Sequence, residues 1–200
     1  MNIIDQKFAL EKLNSGLPIV FQTDTLPAIG CLPKFSEMIY KIKKRDIKKP
    51  LILMGAENFK FDDFVHESAL DDFKYIASCY WPGPLTIVLP LINEFPKEIN
   101  NGSGFLGVRV PNHSFTQKVI ESLGKPITGT SANISNVAPT KDLNEIKDTF
   151  SKKVSIIAEV DCGPENLSST VIKIDNNKSG IDILREGPVS LEKIKKVINL

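Results

Sequence analysis

The sequence predicts a single α/β domain, residues 1–200, built on a twisted mixed sheet with helices. Three observations carry this. Apolar runs of strand length alternate with segments of helical period. The last three strand signals follow one another with no helix between them, so a wholly parallel sheet is excluded. No repeat, low-complexity tract or linker divides the 200 residues, a length that can bury one sizeable core.

Each element has its own warrant. Gly16 closes an N-terminal helix, and "LPIVFQT" is the first strand. Phe35, Met38, Ile39 and Ile42 stand at i, i+3, i+4 and i+7, an amphipathic helix running into "KKR". "PLILM" is wholly apolar, as in a strand buried on both faces. Residues 67–80 read as helix, and "PLTIVLP" and "LGVRVP" as strands bounded by proline. Ser114 with Gln117 reads as a capping box for a helix that turns Phe115, Val119 and Leu123 inward, and Gly124 closes it. The short strand "PIT", a polar helix near 142–150, and the strands "VSIIAEV", "STVIKID" and "IDILRE" follow. Ser190 caps a last helix with Leu191, Ile194, Val197 and Ile198 facing in.

Composition narrows the function classes. A net charge of +1 excludes a polycation, and no apolar run approaches the length of a membrane span. Cys31, Cys79 and Cys162 are odd in number and lack C-x-x-C spacing, which suits buried free thiols in a reducing compartment. With no signal peptide at the N-terminus, a soluble cytoplasmic protein is expected. Only three of the 25 cations are arginines: Arg45, Arg109 and Arg185. A chain that uses lysine wherever a cation will serve keeps arginine where a planar fork is needed for carboxylate or phosphate.

Several segments could carry chemistry. "KIKKRDIKKP" places a cation cluster at a helix C-terminus, where the helix dipole alone favours lysine, but also beside a strand mouth where it could grip polyphosphate. Gly102, Gly104 and Gly107 match G-x-G-x-x-G yet lead into a strand, so they form a turn and not a dinucleotide site. His66 and His113 lack partners at metal-ligand spacing and read as surface or capping residues; no metal site of protein side chains is expected. No nucleophile–base pair stands out. Thr23, Asp24 and Thr25 end the first strand, where α/β sheets commonly bind ligands, or simply turn the chain. "TGTSANIS", Thr128 to Ser135, is dense in small hydrogen-bonding groups and raises the same choice between turn and site.

Taken together these pieces resemble the YrdC-like threonylcarbamoyl-AMP synthase family. They occur in its order: "QTDT" (22–25), "KKR" with "KKPL" (43–51), "WPGPLT" (81–86), "VRVP" (108–111), "TSANIS" (130–135), "STV" (169–171) and "LREG" (184–187). The resemblance implies a YrdC-like fold with a basic concave cavity. It also implies a nucleotidyl transfer in which L-threonine, bicarbonate and ATP give threonylcarbamoyl-AMP and pyrophosphate. Other proteins pass the threonylcarbamoyl group to tRNA. By the same resemblance Lys43 and Arg45 hold the ATP phosphates, with Mg²⁺ carried by ATP. Thr130, Ser131 and Asn133 contact the nucleotide, and Arg185 closes over it. Thr23, Arg109 and Ser169 hold threonine, Arg109 through its carboxylate. Lys43, Arg45, Ser131 and Asn133 are the catalytic set. The chain departs from the commonest pattern at Gln22, Pro27, Ala28, Asp46, Met54 and Asn136. It looks like the single-domain type.

Two other readings compete. One is a non-catalytic protein that binds structured RNA in a charged concavity, by phosphate contacts sensitive to salt. Small pocket-forming residues such as Ser131 and Asn133 favour an enzyme over that reading. The other is the related carbamoyl-transfer module of hydrogenase maturation, whose cysteine-rich zinc motifs have no counterpart in this sequence.

Overall fold

The computed structural model describes residues 6–92, 97–150, 154–156, 162, 167–175 and 181–197. Its strands are β1 (Ile19–Phe21), β2 (Ala28–Gly30), β3 (Ile52–Met54), β4 (Leu85–Pro90), β5 (Phe105–Arg109), β6 (Ile127–Ser131), β7 (Ser155–Ile156), β8 (Thr170–Ile174) and β9 (Ile181–Arg185). They form one sheet in the order β7-β1-β2-β6-β3-β5-β4-β8-β9. The pairs β1–β7, β3–β5 and β4–β8 are parallel, and the other neighbours are antiparallel. The sheet is mixed, as the helix-free late strands require.

Side-chain alternation sorts the sheet into two unlike faces. On one, Ile29, Leu53, Ile87, Val108 and Ile172 pack with side chains of five helices. These are α2 (Glu37–Lys43), α3 (Leu70–Tyr80), α4 (Lys97–Asn100), α6 (Leu143–Phe150) and α7 (Leu191–Val197). Each fully buried aliphatic side chain there contributes about 1.5–3 kcal/mol. On the other face, Ile19, Phe21, Ala28, Met54 and Ile127 pack with α1 (Gln6–Asn14) and α5 (Ser114–Leu123), through Ala9, Leu13, Val119 and Ile120. The strands beyond Met54, toward β9, carry polar side chains on this second face.

The structure corrects several details. The helix carrying Met38 and Ile42 begins at Glu37, because Pro33–Phe35 forms a separate 3₁₀ turn. α5 is not opened by a capping box: His113 is the cap, its Nδ1 accepting the Thr116 N–H at 3.4 Å. Gln117 instead donates to the Pro111 carbonyl and accepts the Glu57 N–H. Gly124 does close α5, with φ +64°. The short strand expected at "PIT" runs on through Ser131. β2 and the short helix α4 (Lys97–Asn100) were not foreseen. Cys31 is buried, and burial raises its thiol to about 11, but Cys79 is exposed on α3. Ser190 caps α7, accepting the Lys193 N–H at 3.4 Å. Residues 157–160 of the expected strand "VSIIAEV", and Ile198 of the last helix, lie outside the described residues.

Candidate active site

Register explains why the polar half of that second face becomes a site. Met54 stands opposite Arg109 across β3–β5, Thr86 opposite Val171 across β4–β8, and Val171 opposite Arg185 across β8–β9. Ile87 pairs with Val108, which sets Arg109 beside Thr86 on the same face. A β-bulge between Val171 and Ile172 makes the last pairing possible. Without it, Leu184 would stand opposite Val171 and Arg185 would turn toward the core; bulges re-aim side chains in this way.

This row floors a cavity of about 340 Å³, within the range of small-molecule sites. Thr23, Thr25, Arg45, Arg109, Thr130, Ser131, Ser169 and Arg185 line it, and Leu26, Ala28, Ile52, Met54 and Val171 supply apolar wall. All three arginines therefore converge on one cavity. Among the described lining residues there is no carboxylate, so the lining is cationic and suited to anions. Gly129 keeps the floor open: a Cβ there would come within 2.6 Å of the Met54 methyl.

Each arginine is held by the protein. Arg109, 2% exposed, donates from Nε to the Gly83 carbonyl at 3.0 Å, from Nη1 to Thr25 Oγ1 at 3.0 Å and from Nη2 to Asp24 Oδ1 at 2.6 Å. Burial lowers its pKa, and the neighbouring Asp24 carboxylate opposes that shift. Arg45 follows Lys44, whose φ of +51° ends α2, and donates to the Lys49 and Pro50 carbonyls. Arg185 donates to the Ser169 carbonyl and to Ser169 Oγ, which meets Thr86 Oγ1 at 2.8 Å. Thr23 Oγ1 donates to the Leu26 carbonyl at 2.8 Å and lies 3.0 Å from Thr25 Oγ1.

Lys43 and Asn133 do not line the cavity; they brace its wall. Lys43 is 1% exposed, and its Nζ donates to the carbonyls of Ser131 and Asn133 and, at 3.3 Å, to Asn133 Oδ1. Asn133 Oδ1 accepts Ser131 Oγ at 2.5 Å, and its Nδ2 donates to the Val137 carbonyl. The "TGTSANIS" stretch is thus partly site and partly scaffold. Thr130 and Ser131 face the cavity, while the Thr128 hydroxyl bonds the Cys31 backbone. Thr25 lines the cavity, as the ligand-binding reading of the Thr23–Thr25 strand end expects; Thr86, Ile52 and Val171 are lining residues to which sequence reasoning assigned no role, and Thr86 sits inside "WPGPLT", the one signal that pointed to it.

Comparison with known proteins agrees with this fold. The Sua5/YciO/YrdC family model, described as telomere recombination, matches residues 11–187. The chain belongs to this family. A Sua5/YciO/YrdC relative from Buchnera aphidicola subsp. Baizongia pistaciae, a threonylcarbamoyl-AMP synthase, is 30% identical over 191 residues, 94% of this chain and 100% of that one. The threonylcarbamoyl-AMP synthase of Photobacterium profundum is 32% identical over 155 residues, 76% of this chain and 84% of that one. The crystal structure of P. abyssi Sua5 complexed with L-threonine superposes with TM-score 0.88 at 28% identity, covering 98% of this chain. This chain spans 59% of that protein's length. E. coli YciO, at 24% identity and TM-score 0.80, covers 95% of this chain and 94% of its own and shares the fold.

Proposed function

We propose that this protein is an L-threonylcarbamoyladenylate synthase: an enzyme, and by reaction type a nucleotidyltransferase. The observation that carries the reading is the convergence of Arg45, Arg109 and Arg185 on one hydroxyl-lined cavity. The relatives named threonylcarbamoyl-AMP synthase and the threonine-bound Sua5 support it.

The substrates are ATP, L-threonine and bicarbonate. Condensation of bicarbonate with the threonine amine, losing water, gives N-carboxythreonine. Its carboxylate oxygen attacks the ATP α-phosphorus while pyrophosphate leaves with the bonding electron pair. The protein's task is to align two anions that repel each other and to offset the charge that builds between them. Arg109 holds the threonine carboxylate with the two N–H groups it has not committed to the protein. Thr23 and Ser169 flank the amino acid. Arg45, Thr130 and Ser131 take the phosphates, and Arg185 closes from the far edge. Lys43 and Asn133 serve by fixing the Ser131 loop. Mg²⁺ enters with ATP: a lining of hydroxyls and guanidinium groups, with no described carboxylate, does not fit a cation held by the protein.

The product would pass to proteins that transfer the threonylcarbamoyl group to tRNA. The chain would work as a single domain in the cytoplasm; among the described residues no helix is long and apolar enough to cross a membrane.

The test is pyrophosphate release from ATP. It should require both L-threonine and bicarbonate, accept serine poorly, and disappear in Arg45→Ala with the folded state retained. No release, together with retention of structured RNA that collapses as salt rises, would move the RNA-binding reading to the front.

A further inference from the structure

We propose that Asp24 is a positioning residue for Arg109, fixing the plane in which that guanidinium meets an anion in the cavity. The inference rests on the reading that Arg109 holds the threonine carboxylate. Asp24 Oδ1 accepts both Arg109 Nη2 at 2.6 Å and the Asn112 backbone N–H at 3.0 Å. The second bond matters because Asn112 lies just beyond β5, the strand that carries Arg109. The carboxylate is therefore registered to the same strand end as the side chain it holds.

The remaining contacts make the geometry over-determined. Nε goes to Gly83 and Nη1 to Thr25, so with Asp24 three acceptors, on the two segments that hold Gly83 and Asp24–Thr25, define one guanidinium plane. Rotation about the side-chain torsions would break at least one of these bonds. Both partners are withdrawn from water, at 3% side-chain exposure for Arg109 and 14% for Asp24. Removing the negative partner would leave a buried cation free to turn toward other acceptors. Asp24 itself is not among the lining residues, so it acts through the arginine and does not touch the ligand.

Asp24→Asn tests this, because it keeps the shape and an acceptor oxygen while removing the charge. Steady-state kinetics and calorimetric binding of L-threonine are compared with the wild type. The KM and Kd for threonine should rise about tenfold or more, since small losses of alignment are costly in this kind of site. The KM for ATP should stay within about twofold, and Asp24→Glu should recover part of the loss. In an Arg109→Lys background the same change should add less than about twofold, because the two residues act as one unit.

An unchanged threonine KM in folded Asp24→Asn, or equal rises for threonine and ATP, would overturn the positioning role and leave the synthase reading intact. The full penalty persisting without Arg109 would also overturn it. Wild-type protein that neither binds threonine nor releases pyrophosphate would overturn both readings together.

Discussion

Lys43 shows how one buried cation ties pH to the site. Burial, and secondarily the Arg45 charge, lower its pKa from 10.5 to about 7. In the unfolded chain the same amine keeps its proton up to the ordinary value. Between these limits the unfolded state binds the extra proton, so this group's contribution to stability rises with pH. Its burial penalty is fully present below about pH 7 and is relieved as pH climbs toward 10.5. The urea midpoint of the wild type, measured against Lys43→Met, should therefore gain as pH is raised from about 7 to 9. A difference that stays flat would mean the lysine is not held against its charged form. The variant should also lose activity, because the Ser131 and Asn133 carbonyls lose their donor. The arginines were legible in the sequence because a lysine-rich chain makes each of them an exception. Lys43 was read as facing the ligand. Yet Ile39, Tyr40 and Lys43 share one buried face of α2, and that spacing was the signal that its head turns inward.

At the level of elements, the hardest parts to read were those made by pairing and not by local preference. β2 is three residues long, too short for any periodic signal, and it exists because β1 and β6 flank it. Gly30 at its end is the position that permits this: a Cβ there would lie 1.8 Å from the Thr128 carbonyl oxygen. That neighbour is backbone and cannot swing aside. Gly30→Ala should cost about 1–3 kcal/mol or more through forced strand separation, read as a lower urea midpoint with unchanged slope. Wild-type stability in that variant would show that β2 and β6 can part without penalty. The bulge before Arg185 was hidden for a similar reason. Strict alternation along "IDILRE" groups Ile181, Ile183 and Arg185 on one face, whereas the cross-strand partner Val171 decides that the arginine faces the cavity. By contrast, α5 and α7 were visible outright, since their apolar period and their closing or capping residues are local.

Across the whole molecule, the site follows from incomplete coverage of the sheet. Five helices cover one face, while α1 and α5 cover only the part of the other that carries Phe21, Ala28 and Met54. Where helices stop, the same face continues with Arg109, Thr86 and Arg185, and the cavity lies there. Its lining reaches from Arg45, ahead of β3, to Arg185 on the outermost strand β9, so a bound nucleotide would tie together strands distant in sequence. A ligand of that kind binds the folded chain alone and must stabilise it by mass action. At about 100 times its Kd the gain is about 2.7 kcal/mol, which for a protein of this size is roughly 5–10 °C in Tm. MgATP should produce a shift of that order, and L-threonine a further one when added with it. In Arg45→Ala the ATP shift should shrink while the threonine shift survives; in Arg109→Lys the pattern should reverse. If both variants lost both shifts equally, the cavity would not be divided between its two ligands, and the separate roles given to Arg45 and Arg109 would have to be abandoned.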